Sequence, residues 1–225
     1  MTDVRTDAVV EVTPGGPYHV TGGIPLFRVR KIQGPKEGSF VEWEKYEQLS
    51  TEDEYWLCRC GHATNKPFCT GMHEKVGFEG TETAPTNAYR ERSEVLGGTK
   101  VTVSDDRGIC AHAAFCSNEI TNVWKAAKKL DDDSSLADTA VRMVRNCPSG
   151  ALSMEIDGAS GEAELVREIW IQEDASILLR GGITVRRADG QPIETRNRMA
   201  LCRCGQSNIK PLCDGSHAEA AFTDG

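Results

Sequence analysis

A sixteen-residue pattern that occurs twice constrains the fold of this chain more than any other feature. Residues 58–73 read CRCGHATNKPFCTGMH and residues 202–217 read CRCGQSNIKPLCDGSH, with nine identical positions and no gap. Such agreement indicates an internal duplication. Each copy follows short apolar runs that share a Gly-Gly-Ile sequence, and runs of this kind predict short β-strands. We therefore expect two small β-rich units of similar design.

Each copy holds three cysteines and one histidine with the spacing of a metal site. Two thiols that are two residues apart in an extended segment lie on the same side of the backbone, and a turn containing Pro and Gly returns the other two ligands toward them. Such a set suits tetrahedral zinc, or a [2Fe–2S] cluster in which imidazole replaces one thiolate, and spacing alone leaves both open. The predicted ligands are Cys58, Cys60, Cys69 and His73 in the first copy, and Cys202, Cys204, Cys213 and His217 in the second.

Composition agrees with small units held together by metal. Only 39% of the 225 residues are apolar, which does not require one large core. No positively charged N-terminal stretch precedes an apolar run, and no apolar stretch is long enough to span a membrane. We therefore expect a soluble, cytoplasmic protein, in which a high cysteine content indicates metal binding rather than disulfide bonds. The net charge of −8 disfavours nucleic acid and suits a partner with a basic docking surface.

The segment between the copies predicts a separate α+β unit over about residues 86–158, because its apolar spacing changes from strand-like to helix-like and back. The expected elements are a strand at 97–106, helices at 118–130 and 134–146, and a closing strand at 151–157.

The middle segment also contains three cysteines, Cys110, Cys116 and Cys147, the last followed by Pro148. A bacterial ferredoxin loop reads Cys-x2-Cys-x2-Cys with a distant Cys-Pro, whereas here Ala113 stands where the second ligand belongs. Loss of one ligand predicts a [3Fe–4S] cluster. A [4Fe–4S] cluster remains open if another residue, such as His112, supplies the fourth ligand. The segment resembles a divergent single-cluster ferredoxin.

The second copy resembles the complete signature of the CDGSH iron–sulfur domain, the mitoNEET-like family. That resemblance implies a [2Fe–2S] cluster in each copy, with the Cys-x-Cys pair on the inner iron and the Cys–His pair on the outer iron. The first copy keeps all four ligands but departs from the signature at Ala63, Thr70 and Met72. These departures put hydrogen bonds around the ligands in doubt. The recurring Arg59 and Arg203 are either solvated or charge partners of an anionic cluster.

We therefore expect an α+β protein in which two small β-rich CDGSH modules flank a ferredoxin-like unit. The predicted boundaries are 1–85 for the N-terminal CDGSH domain, 86–158 for the ferredoxin-like domain and 159–225 for the C-terminal CDGSH domain. Members of the resembled family pair two copies across a dimer. Here the copies are expected to pair within the chain, or else in a homodimer.

The expected function is electron transfer to a redox partner protein by several iron–sulfur clusters. The sequence contains no nucleophile–base constellation and no phosphate-binding Gly loop, so we predict no enzyme activity and no catalytic residues. Redox or pH sensing, or donation of clusters to other proteins, is the alternative function. A structural zinc protein is a third hypothesis.

Overall fold

The computed structural model describes residues 8–97, 99–131 and 133–224, so residues 1–7 of the predicted N-terminal domain lie outside the described ranges. None of the helices in these ranges has the length and apolar character that crossing a membrane requires. The strands are β1 (Val9–Val12), β2 (Tyr18–Thr21), β3 (Leu26–Gln33), β4 (Phe40–Leu49), β5 (Glu54–Leu57), β6 (Glu94–Gly97), β7 (Val101–Asp105), β8 (Leu152–Ile156), β9 (Ala159–Ser160), β10 (Glu168–Gln172), β11 (Ile177–Arg180), β12 (Thr184–Arg186) and β13 (Arg198–Leu201). The α-helices are α1 (Met72–Lys75), α2 (Tyr89–Arg92), α3 (Val123–Ala127) and α4 (Ser134–Asn146).

The two duplicated segments exchange strands. One sheet has the order β12-β1-β2-β5, in which β12 comes from the C-terminal segment. The other has the order β13-β11-β10-β3-β4, in which β3 and β4 come from the N-terminal segment. The two strand pairings that join the segments are parallel, β12 with β1 and β3 with β10. The two duplicated segments are therefore folded into one another within a single chain.

The main apolar core contains side chains from both segments. Tyr18 and Leu57 of the N-terminal segment belong to the same buried cluster as Ile169, Ile177 and Leu201 of the C-terminal segment. Burying one such aliphatic side chain contributes about 1.5–3 kcal/mol. Because each segment supplies part of this cluster, the two segments stabilise one another.

The middle segment forms its own sheet, β6-β7-β8-β9, with α3 and α4 packed beside it. The α+β class is confirmed, and the helix predicted at 134–146 is α4. The helix predicted at 118–130 is shorter than expected, since only Val123–Ala127 is helical. The side chain of Asn118 accepts hydrogen bonds from the backbone of Ile120 and Thr121, which makes a turn, and Asn122 then caps α3.

The β3–β4 hairpin connects the N-terminal segment to the middle unit. It is built largely from an insertion that the second copy lacks. The indole nitrogen of Trp43 on β4 donates to the backbone carbonyl of Asn146 at 3.1 Å, and the side-chain amide of Asn146 donates to the carbonyl of Val41 at 3.0 Å. The C-terminal end of α4, one residue before Cys147, is thereby held against β4.

Candidate functional site

The N-terminal ligand candidates lie in two close pairs. Cys58 and Cys60 directly follow β5, and their sulfur atoms are 3.7 Å apart. The sulfur of Cys69 is 3.5 Å from Nδ1 of His73, which lies on the short helix α1. Both members of each predicted pair are thus brought together.

The C-terminal ligand candidates repeat this arrangement. Cys202 and Cys204 follow β13 with sulfur atoms 3.8 Å apart, and the Cys213 sulfur is 3.5 Å from Nδ1 of His217. The C-terminal outer pair is more enclosed, because Cys213 is only 2% exposed whereas Cys69 is partly exposed. The two sites therefore share a design and differ in their access to solvent.

The same backbone hydrogen bonds shape both ligand loops. The amide of Cys58 donates to the carbonyl of Pro67, and the amide of Cys202 donates to that of Pro211, each at 2.8 Å. Both prolines follow cis peptide bonds. The amide of Cys213 donates to a carbonyl on β13, as that of Cys69 does to one on β5. Each loop is thus fixed to the strand that carries its Cys-x-Cys pair.

Buried arginines lie between the paired cysteines. Arg59 and Arg203 are each 1% exposed. Arg59 donates to the carbonyls of Thr13, Gly16 and Gly80. Their burial excludes the solvated interpretation, and in both copies the guanidinium holds the loop to neighbouring backbone.

Arg203 differs from Arg59 in one partner. Arg203 donates to the carbonyls of Gln172 and Ala175, and it forms an ion pair with the carboxylate of Asp224. Burial opposes ionisation of Asp224, but the hydrogen bond and charge of Arg203 outweigh it and lower the pKa of this carboxyl. The guanidinium of the C-terminal loop is therefore paired with a carboxylate, whereas that of the N-terminal loop has only carbonyl partners.

The expected loss of hydrogen bonds in the first copy is visible at Thr70. Its hydroxyl oxygen accepts one bond, from the Thr64 amide at 3.2 Å. At the matching position the Asp214 carboxylate accepts from the amides and side chains of Asn208 and Ser216. Burial alone would raise the pKa of Asp214, but these hydrogen bonds lower it to about 2. Asp214 is therefore ionised and fixed.

Tyr18 supports the C-terminal loop from the other segment, a role that the cysteine pattern gave no reason to expect. Its side chain is fully buried, and its hydroxyl lies 2.8 Å from the carbonyl oxygen of Cys202 and 3.1 Å from that of Pro211. One hydroxyl proton is thus shared between two carbonyls of the loop. The exchanged fold alone brings Tyr18 to this position.

The two ligand loops contact each other directly. A Cβ added to Gly61 would lie 2.5 Å from the carbonyl oxygen of Cys204, and one added to Gly205 would lie 2.8 Å from that of Cys60. Each of these distances is shorter than any ordinary contact of a side-chain carbon. Only glycine fits at these two positions, and the inner cysteines of the two sites are neighbours.

Burial and local hydrogen bonds shift the pKa values of the candidate ligands, toward the metal-binding form at some residues and away from it at others. Burial, followed by the charges of Lys31 and Arg203, lowers the pKa of His217, which favours the neutral imidazole that binds metals. Within each Cys-x-Cys pair the hydrogen bond between sulfur atoms makes one thiol more acidic: it lowers the pKa of Cys58 and that of Cys204. Burial raises the pKa of Cys213 to about 12.

The three middle cysteines line one small pocket. Cys110, Cys116 and Cys147 share it with Ala113, the residue at the missing ligand position, and with His112. Burial raises the pKa of Cys110 and of Cys116. The shared pocket brings the three predicted ligands of the middle unit together, although Cys110 and Cys147 are 37 positions apart in the chain.

The loop between Cys110 and Cys116 has a strained backbone. His112 has φ of 55° and Ala114 has φ of 65°. L-residues other than Asn, Asp and His rarely adopt such values, so the strain lies mainly at Ala114. An alanine in this conformation costs on the order of 1–2 kcal/mol. Strain of this kind persists only where surrounding contacts over-determine the conformation, and it concentrates at binding sites.

The donor set fits iron–sulfur clusters. Thiolates with imidazole are the ligands that such clusters and zinc prefer, and all nine cysteines are free thiols. In the part of the chain that the structure describes, no three His, Cys, Asp or Glu side chains are placed to hold one metal ion together. The CDGSH ligands lie as separate Cys–Cys and Cys–His pairs, and a two-iron cluster needs one pair for each iron.

Two protein-family models match the chain. One, described as the iron-binding zinc finger of CDGSH type, matches residues 15–74 and 174–218. The other, described as a divergent 4Fe-4S mono-cluster, matches residues 96–156. No curated protein and no solved structure matches the chain. The matched segments contain all the predicted ligands, and the chain is therefore an iron–sulfur protein that contains two CDGSH-type domains flanking a divergent 4Fe-4S mono-cluster domain.

Proposed function

We propose that this protein is a multi-site electron carrier with two [2Fe–2S] clusters and one [3Fe–4S] or [4Fe–4S] cluster. When bound, these clusters supply one-electron redox centres. The paired geometry of the CDGSH ligands supports two irons at each of those sites, and the pocket with three cysteines supports a three-iron or an incomplete four-iron centre. One electron enters from a reductant and leaves to an acceptor, both redox proteins, with no bond made or broken.

The observation that carries this proposal is the direct contact between ligand loops. Gly61 and Gly205 place the inner cysteines of the two CDGSH sites against each other. A protein that only needed metal for stability would gain nothing from sites in contact, whereas an electron carrier requires close centres. The net charge of −8 favours a partner with a basic docking surface, and the thiol ligands favour a reducing compartment such as the cytoplasm.

The residues of each CDGSH site also set the expected range of potential. Three thiolates bring less negative charge than four, and a neutral imidazole stabilises the oxidised iron less than a thiolate does. Both CDGSH sites should therefore be milder reductants than an all-cysteine [2Fe–2S] centre. We propose no substrate turnover.

A redox titration of the anaerobically purified protein, followed by EPR, tests this function. Reversible one-electron steps at each site, and electron exchange with a redox protein without loss of iron, are expected. Irreversible bleaching during the first cycle of reduction and oxidation would reject the carrier function.

Cluster donation is a second candidate, favoured by the outer pair of the N-terminal site. Cys69 is partly exposed, and the side chain of His73 is 17% exposed. An apo-acceptor protein mixed with the holoprotein distinguishes the candidates, because transfer of iron and sulfide to the acceptor would support donation and transfer of electrons alone would support the carrier.

A further inference from the structure

The middle site and the C-terminal CDGSH site meet at one ring. A Cβ added to Gly215 would lie 2.9 Å from Cδ2 of His112 and 3.2 Å from its Cβ. Gly215 has φ of 89° and stands in the turn between Cys213 and His217. The imidazole of His112 therefore lies against the turn that carries the outer ligands of the C-terminal site, and only glycine leaves room for it.

Two further contacts join the same pair of sites. Cys213 belongs to one buried apolar cluster with Ala111 and Ala113, which flank His112 in the middle loop. Arg198 at the start of β13 is 2% exposed and donates to the carbonyl of Cys147. Ligands of both sites are thus held by shared, buried contacts.

The N-terminal CDGSH site has an open outer turn instead. Gly71 occupies the position that Gly215 has in the second copy, and a Cβ added there would meet no atom of the described residues within 4 Å. The sulfur ligand beside it, Cys69, is partly exposed, whereas Cys213 is 2% exposed. The duplicated sites therefore differ in what covers them: the middle unit covers one, and solvent reaches the other.

We propose that His112 connects the middle site to the C-terminal CDGSH site within the molecule, and that the N-terminal CDGSH site is the one that exchanges electrons with external partners. This inference rests on the proposed electron-carrier function. The chain's contacts arrange the sites in series: the middle site meets the C-terminal site at Gly215, and that site meets the N-terminal site at Gly61 and Gly205. Each transfer oxidises one site and reduces the next by one electron, and the external one-electron donor or acceptor reacts at the N-terminal site.

His112 acts here as a positioning residue, and a suitable variant isolates its ring. His112→Gly removes the imidazole at a position with φ of 55°, which glycine adopts readily, so the loop backbone is retained. His112→Asn is a second variant, because Asn also tolerates this conformation. The matched control is His62→Gln, which changes an exposed histidine of the N-terminal loop to the residue found at the same position of the second copy, Gln206.

The first measurement follows internal electron movement in the reduced holoprotein. The protein is mixed with enough hexaammineruthenium(III) to remove one electron per chain, and the EPR signals are recorded after rapid freezing. The spectral change caused by His73→Cys assigns the N-terminal signal. We expect that signal to decay first in all proteins. Oxidation of the middle site, seen as the gain of a [3Fe–4S] signal or as the loss of a reduced [4Fe–4S] signal, should be severalfold slower in His112→Gly and His112→Asn than in the parent and in His62→Gln.

The second measurement tests solvent access directly. Electron spin-echo modulation in D2O reports exchangeable deuterons near each reduced CDGSH centre, and we expect stronger modulation at the N-terminal site. Equal modulation at both CDGSH sites, or an unchanged rate of middle-site oxidation in the His112 variants, would overturn the inference. Reversible redox chemistry in the same proteins would leave the carrier function standing. Loss of middle-site iron from the His112 variants would make His112 a ligand and would also overturn it.

Discussion

Gly61 lies in backbone contact with Cys204, and the duplication makes the contact reciprocal, because Gly205 lies against Cys60. The two ligand loops thus pack together although 143 positions separate Gly61 from Cys204 in the chain. This contact follows from the exchange of β3 and β12 between sheets. It makes the paired CDGSH sites one structural unit.

We predict that Gly61→Ala separates the two loops and lowers the midpoint of thermal unfolding. Gly71→Ala is the matched control, because Gly71 also has a positive φ, 77° against 85°, but has open space around it. Both variants should lose about 1–2 kcal/mol from the left-handed backbone. Only Gly61→Ala should lose more, since its methyl group meets the Cys204 backbone. Equal losses in the two variants would contradict the contact.

Removing the partner of Arg203 should destabilise the C-terminal loop. Asp224→Asn leaves the buried guanidinium without its counter-charge, and breaking a buried ion pair costs about 3 kcal/mol. Chemical unfolding of the holoprotein measures the loss. The matched control is Glu219→Gln, which neutralises an exposed carboxylate in the same segment. A change at Gly80, which contacts Arg59 in the first copy, would not serve, because a Cβ there would lie 2.4 Å from the Arg59 side chain.

The same ion pair predicts a pH dependence. Burial raises and Arg203 lowers the pKa of Asp224, and the net result is a lowered pKa. The carboxylate therefore contributes stability above the ordinary aspartate pKa of about 4, and this contribution disappears as the pH falls through the lowered value. Stability measured between neutral and acidic pH should fall less steeply for Asp224→Asn than for the parent protein. Parallel curves would show that Asp224 does not titrate with folding.

Much of the site follows from the sequence, since the ligands stand at fixed offsets within two copies of one pattern. Residues 58–73 alone show which side chains converge, because Pro67 and Gly71 fix the turn between the ligand pairs. The supporting residues could not be predicted in this way. Tyr18 reaches the Cys202 carbonyl, and Arg198 the Cys147 carbonyl, through long-range pairing that local periodicity does not contain.

The local elements of the fold could be predicted from the sequence, but the pairing of distant strands could not. Strand and helix periods indicate local elements, and α4 begins and ends where its apolar spacing does. The predicted helix over 118–130 was too long because Asn118 and Asn122 compete for backbone amides with their side chains. The strand exchange could not be predicted in this way, because it depends on pairing between residues far apart in the chain, such as Val10 on β1 and Val185 on β12.

Asp214 should hold the potential of the C-terminal CDGSH site below that of the N-terminal site. Its carboxylate is ionised, whereas the equivalent Thr70 is neutral. Asp214→Asn should raise the C-terminal potential by on the order of 100 mV, the effect of one unit charge several ångströms away at an effective dielectric constant of about 20. A spectroelectrochemical titration measures the shift. Thr70→Asp should lower the N-terminal potential; movement in the same direction for both variants would refute the electrostatic explanation.

Ala113→Cys should complete the middle site. Ala113 lines the same pocket as Cys110, Cys116 and Cys147, so a thiol there has the place of the missing ferredoxin ligand. A [3Fe–4S] centre with three ferric ions has an odd electron count and gives an EPR signal as isolated. Ala113→Cys should therefore gain about one iron per chain and lose that signal. An unchanged iron content would show that the middle cluster does not use this position.

Cys110→Ser is the complementary variant, because it removes one middle ligand and touches neither CDGSH site. The middle cluster should be lost while the iron of both CDGSH sites is retained, since their ligands lie in other loops. Iron analysis and EPR of the purified variant report both quantities. Loss of all iron would mean that the three sites assemble only together.

Iron and sulfide analysis of the anaerobically purified protein, combined with EPR before and after reduction, tests the central claim most directly. Two two-iron sites and one three-iron site predict about seven irons per chain, or about eight if an outside ligand completes a cubane. The seven-iron form should show one signal as isolated and additional signals from the CDGSH sites after reduction. A colourless protein that contains zinc, or four irons with no change after Cys110→Ser, would contradict the account.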